Sequence, residues 1–140
     1  MRISAEREYA CRALLELALN WPGRKLIQVS AIARKQDVPI KYLEQILIEL
    51  KNIGLVESVR GKQGGYRLAK NPRKIRLGEV MRKIGGPLLQ MADTASKRES
   101  VFTAIWKETK ESIVKVLDKV NFEDIANKAK SMKGAMIYQI

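Results

Sequence analysis

Hydrophobic positions along the chain follow a helical period in most segments and a strand-like period in a few. Residues 4–20 set Ala10, Ala13, Leu14, Leu17 and Ala18 on one face at helical spacing, with Ser4 placed as an N-cap. Trp21-Pro22-Gly23 ends that helix. Leu26, Ile27 and Val29 predict a short strand, and Ser30 then reads as the cap of a short helix that turns Ile32 and Ala33 inward. Asp37-Val38-Pro39 breaks it, and Pro39 suits the start of the next helix. Residues 40–53 carry the clearest period. Leu43, Ile46, Leu47 and Leu50 make the apolar face, while Lys41, Tyr42, Glu44, Gln45, Ile48, Glu49 and Lys51 lie on the others. Gly54 stands where a helix end favours a left-handed residue.

The pattern then changes. Leu55 to Arg60 and Tyr66 to Ala69 read as two strands joined by Gly61-Lys62-Gln63-Gly64-Gly65, a hairpin with a glycine-rich tip. Asn71-Pro72 turns the chain, and Leu77 to Ile84 form a short helix stopped by Gly85-Gly86-Pro87. Leu88 to Ser96 has no period and reads as a loop. A long helix near Lys97 to Val120 follows, with a stripe of Phe102, Ile105, Trp106, Thr109, Ile113, Val116, Leu117 and Val120. Asn121, with Asp124 as capping-box partner, opens a last helix that faces Ile125 and Ala129 inward and ends at Gly134. These elements predict an α+β fold, mostly α. Residues 1–86 form one small domain, 87–96 a loop, 97–133 the long and last helices, and 134–140 a short apolar tail.

Composition narrows the function. The chain has 140 residues, 46% hydrophobic and 30% charged, which fits an ordinary globular protein. No apolar run approaches the roughly 20 residues that span a bilayer. Arg2, Glu6, Arg7 and Glu8 make the opening unlike a secretory signal, so a cytoplasmic protein without membrane association is expected. The net charge of +12 is uneven: residues 1–86 carry +10 and residues 87–140 carry +2. A basic N-terminal part fits a polyanionic partner, because Lys and Arg displace counterions from phosphates. One cysteine and no histidine leave no set of ligands for common zinc or iron–sulphur sites. They also leave no Ser–His or Cys–His pair. No phosphate-binding glycine motif appears and no Asp/Glu pair stands out, so neither enzymatic activity nor a cofactor is expected. Cys11, beside the apolar face of the first helix, reads as a buried structural cysteine.

Two short helices separated by a tight turn and followed by a basic hairpin make a winged helix-turn-helix. A helix fits the major groove, and its polar side chains can reach base edges. The stretch from Arg60 to Lys70 holds Arg60, Lys62, Arg67 and Lys70 and no acid, and its glycines permit close approach to a backbone.

The run YLEQILIELKNIGLVESVRGKQGGYRLAKNP, from Tyr42 to Pro72, resembles the signature of the IscR-type winged-helix regulators, the Rrf2 family. Ser4 to Leu17, the segment IRLGEVMRKIGGPL and AIW with the helix after it extend the resemblance over nearly the whole chain. The resemblance implies base contacts from Lys41, Tyr42, Glu44 and Gln45, and a wing arginine, Arg60, in the minor groove. Gln45 suits adenine and Glu44 a cytosine amino group. Arg2, Ser30, Lys62, Tyr66 and Arg67 would hold phosphates, which position without specifying. The long helix would dimerise through Phe102, Ile105, Trp106, Ile113, Val116, Leu117 and Val120. A two-fold dimer would read a palindromic operator on double-stranded DNA.

The departures bear on sensing. Many members hold an iron–sulphur cluster on three cysteines just before the dimerisation helix. Here Ser100 stands where the last cysteine would be, and Thr103 where one branch places a histidine. A hydroxyl does not replace a thiolate on iron. The chain therefore resembles the cluster-free branch that represses cysteine metabolism together with cysteine synthase. The ending MIYQI fits that branch, and the resemblance implies that Tyr138, Gln139 and Ile140 dock into that enzyme, a terminal carboxylate replacing the substrate's. Two other readings remain at this point. One is a repressor that binds a small effector between the wing domain and the long helix. The other is a protein-interaction adaptor without DNA binding, against which the intact wing argues.

Overall fold

Helix α1 (Ala5–Leu19) starts where Ser4 Oγ accepts the Arg7 N–H at 3.2 Å. Glu6 and Glu8 fall in its first turn, where a helix dipole favours negative charge. The computed structural model describes residues 3–23, 25–89 and 98–138, with side chains as far as 134. Within it α1 is the central element, packed by α2 (Val29–Gln36), α3 (Ile40–Asn52) and α4 (Leu77–Lys83). Ala10, Ala13, Leu14, Leu17 and Ala18 are buried, and the alanines let the neighbouring helices come close.

Two local expectations are corrected around α2. The helix begins one residue before Ser30, with Gln28 as N-cap and no side-chain cap bond. The strand expected at Leu26–Val29 reduces to a single bridge, in which Ile27 and Tyr66 exchange N–H···O bonds of 2.9 and 2.8 Å. Asp37 takes a left-handed conformation (φ 53°) and ends α2, leaving Asp37–Pro39 as the turn into α3. In α3 the buried side chains are Leu43, Ile46, Leu47 and Leu50, the face its period predicts. Its end is a Schellman motif: Gly54 (φ 82°) donates to Lys51 O and Leu55 donates to Leu50 O.

Strands β1 (Val56–Val59) and β2 (Gly65–Leu68) pair antiparallel, Val56 opposite Leu68 and Val59 opposite Gly65. Gly65 is the close-approach residue. A Cβ there would sit 2.6 Å from Ile27 O, so glycine alone lets the hairpin seat against the segment before α2. A 3-10 turn (Pro72–Lys74), capped by Asn71, leads into α4.

The C-terminal part folds back into the same core. Helix α5 (Val101–Asp118) has no buried residue, whereas α6 (Phe122–Tyr138) returns to pack on α1. Phe122 is fully buried and Ala126 nearly so, with Ile125 half-buried against them. The period had pointed to Ile125 and Ala129, and Phe122 is the side chain it missed. Asn121 Oδ1 accepts the Asp124 N–H at 2.9 Å, capping α6. The expected stop at Gly134 is also corrected, because the helix runs through it to Tyr138. An interior glycine costs a helix only about 1 kcal/mol. The loop expected at 88–96 falls largely on residues outside those described.

Among the described residues two charged side chains are buried. Arg7 Nε donates to Met81 O at 3.1 Å and its Nη2 to Gly86 O, so its guanidinium occupies the carbonyl end of α4. Glu16 accepts from Gln36 Nε2 at 2.8 Å and faces Lys35 Nζ at 3.6 Å, tying α1 to α2.

Candidate nucleic-acid interface

The buried face of α3 fixes which side chains face outward. Lys41, Tyr42, Glu44 and Gln45 are all exposed, on the opposite side from Leu43, Ile46 and Leu47. Tyr42 is propped from α1, its ring meeting the edge of Tyr9 with centroids 6.1 Å apart and planes at 62°. Ser30 is exposed in the first turn of α2.

The hairpin places Arg60 and Lys62 at its exposed tip, where Gly61 holds φ 122°. Arg67, expected as a phosphate contact, pairs across the strands with Glu57 at 2.5 Å, both side chains remaining exposed. Glu57 lies just outside the acid-free stretch, so its effect on Arg67 appears only with the strand register. Tyr66 is half-buried and bonds Ile27 through its backbone. Arg2 lies outside the described residues.

Between α3 and the hairpin is a cleft of about 600 Å³, lined by Lys51, Asn52, Ser58 and Arg60 among others. Sequence reasoning placed Lys51 on an outer face but did not join it to the wing, and it overlooked Asn52 and Ser58. Only the angle between α3 and the hairpin brings the three together.

On α5, Phe102 and Trp106 stack with centroids 6.4 Å apart and are 61% and 45% exposed. Ile105 and Val116 are exposed as well, whereas Ile113, Leu117 and Val120 are half-buried where α5 leaves α4. Of the expected docking residues, Tyr138 ends α6 with its side chain outside those described, and Gln139 and Ile140 lie outside altogether.

The family model of Rrf2, described as an iron-dependent transcriptional regulator, matches residues 3–128. The chain belongs to the Rrf2 family. It is thus a DNA-binding transcriptional regulator, and its winged fold is the Rrf2 fold. It is 34% identical over 139 residues to an HTH-type transcriptional regulator of Synechocystis, covering 96% of this chain and 94% of the relative. It is 30% identical over 140 residues to CymR of Bacillus subtilis, all of both chains. Among solved structures, IscR of T. potens superposes with a TM-score of 0.78 at 35% identity, covering 92% and 88% of the two chains. The structure of CymR, the global cysteine regulator of B. subtilis, has a TM-score of 0.78 at 30% identity, covering 91% and 98%.

The iron–sulphur cluster associated with Rrf2 proteins does not fit these residues. The sequence has one cysteine, Cys11, on α1, and no histidine. Ser100 and Thr103, where the resemblance implies ligands in other members, form a reciprocal cap on α5. Ser100 Oγ accepts the Thr103 N–H at 3.2 Å, and the Ser100 N–H reaches Thr103 Oγ1 at 3.4 Å. Both hydroxyls serve the helix end. Among the described residues no group of three His, Cys, Asp or Glu side chains gathers to hold a metal ion. Cys11, expected to be buried, is half-buried on α1; desolvation, and secondarily the charge of Glu8, pushes its thiol up to about 11. No helix among the described residues is long and apolar enough to cross a membrane.

Proposed function

We propose that the protein is a homodimeric repressor that reads a palindromic operator through α3 and the hairpin. The observation that carries this is the exposure of Lys41, Tyr42, Glu44 and Gln45 on α3 together with that of Arg60 at the wing tip, which lines one cleft with Ile48 and Lys51 further along the same helix. In this reading α3 lies in the major groove and Arg60 in the adjacent minor groove, and the strand between the grooves occupies the cleft lined by Lys51, Asn52 and Ser58. Ser30 and Lys62 hold flanking phosphates. Phe102, Ile105, Trp106, Ile113, Val116, Leu117 and Val120 close the two-fold. An operator selected by the protein from a random DNA pool provides the test. Arg60→Ala should weaken binding to it by about 1–3 kcal/mol and relax base preference under the wing. Unchanged affinity and preference would overturn the wing assignment.

Similarity to CymR over the full length supports a role in cysteine metabolism, with cysteine synthase as partner through Tyr138, Gln139 and Ile140. Deleting Ile140 should then abolish association with that enzyme in a pull-down of the purified proteins. Retained association would sink the docking model and leave operator reading intact.

A further inference from the structure

The wing tip has a cleft on each side. The first lies between α3 and the hairpin. The second, of about 680 Å³, lies between Lys25–Gln28, the outer face of α2 and the tip residues Lys62–Gly64. Gln28 and Gly64 line both, so the two clefts meet beneath the tip. The second is lined by four cations, Lys25, Arg34, Lys35 and Lys62, and by no carboxylate. Lys35 is engaged by the buried Glu16 at 3.6 Å. Lys25, Arg34 and Lys62 are exposed and unpaired among the described residues.

The pairing of arginines sets this place apart. Arg7, Arg12, Arg67, Arg73, Arg76, Arg82 and Arg98 all have a partner within the fold. Arg34 and Arg60 are the two described arginines without one, and they stand on opposite sides of the same hairpin tip. Helix α2 adds the positive end of its dipole, with no side-chain cap and no acid in its first turn.

We propose that the second cleft carries the far strand of the minor groove entered by the wing, so that DNA backbone passes on both sides of the tip. This rests on the reading of the hairpin as a DNA-binding wing. The minor groove is about 6 Å wide, so anything inserted in it has phosphates of both strands close by. One strand is accounted for by the cleft beside α3. The other must pass the opposite wall, where Lys25, Arg34 and Lys62 stand unneutralised. Free cations on both sides of one tip match a long polyanion better than a compact one. Lys25 and Arg34 therefore hold phosphates of the flanking turn, and each contributes affinity without sequence preference.

The test is the salt dependence of binding by the full-length protein to a mixed-sequence duplex, read by fluorescence anisotropy. Each phosphate contact contributes about 0.9 to the slope of log affinity against log salt, roughly eightfold in affinity at 0.1 M. The double variant Lys25→Ala/Arg34→Ala should lower the slope by nearly 2 and weaken binding many-fold, whereas Lys110→Ala on the exposed α5 should do neither. If Arg60→Ala and Lys41→Ala lower the slope but the double variant does not, the second track is wrong while the wing reading stands. If the parent protein itself binds duplex with no salt dependence, the wing reading has failed first. An equal loss for Lys110→Ala would also overturn the proposal, as a mere net-charge effect. So would a double variant that loses inorganic tripolyphosphate binding but keeps its duplex slope, since the cleft would then hold a small polyanion.

Discussion

The winged core and helix α5 handle apolar side chains in opposite ways. Around α1, residues as large as Leu14, Leu43 and Phe122 are fully buried within one chain. On α5, Phe102, Ile105, Trp106 and Val116 are all more than two-fifths exposed, and none of its residues is buried. Exposed apolar surface is costly unless something covers it. The first region is complete as a single chain, and the second is the face assigned to a partner in the proposed dimer. Folding and assembly should therefore be separable by mutation.

The largest effect belongs to the core. Phe122→Ala removes a fully buried ring and should cost about 3–5 kcal/mol, read as a fall in the urea midpoint. A loss below about 1 kcal/mol would mean that α6 is dispensable to the core. Trp106→Glu addresses the other region. It should shift the protein from dimer to monomer in sedimentation equilibrium, weakening association by at least about 2 kcal/mol, while the monomer stays folded by circular dichroism. Loss of fold in this variant would erase the contrast. Ser100→Ala is smaller, about 1 kcal/mol. It should show as faster amide exchange confined to the start of α5, without change in the core. The smallest effect concerns Cys11. Its folded pKa lies above the unfolded value of 9.0, so the unfolded chain loses its proton first as pH rises. Stability from this group is thus complete below pH 9 and declines toward pH 11. Iodoacetamide at pH 8 should label Cys11 far more slowly in the folded protein than in urea.

How far each part was legible in the sequence follows the same division. The face of α3, the Schellman glycine and the hairpin are local matters of period and turn chemistry, and each stood in the sequence. Phe122 did not, because it is the first residue of α6 and its burial depends on where that helix lands on α1. Arg7 and Glu16 were also illegible. Sequence patterns treat charge as exposed, yet both are satisfied inside, by carbonyls of distant residues and by Gln36 and Lys35. At the candidate interface, the exposure of the outer residues of α3 and of the tip arginine could be read from period and order. Lys51, Asn52 and Ser58 could not, nor could the neutralisation of Arg67 by Glu57, because both depend on angle and register.

The return of α6 leaves α5 fastened at its C-terminal end. The Leu77 N–H bonds Val120 O at 2.8 Å, the Phe122 N–H bonds Ile75 O at 3.0 Å, and Asp118 holds Arg82 at 2.8 Å. All of these clamps sit at the C-terminal end of α5, beside the core, and α6 continues from them along α1. A rod anchored this way cannot swing freely on a loop. If it tilts, it levers against the helix whose Tyr9 supports Tyr42. Movement of α5 thus has a short mechanical linkage, through the packed α4 and α1, to Tyr42 on the exposed face of α3.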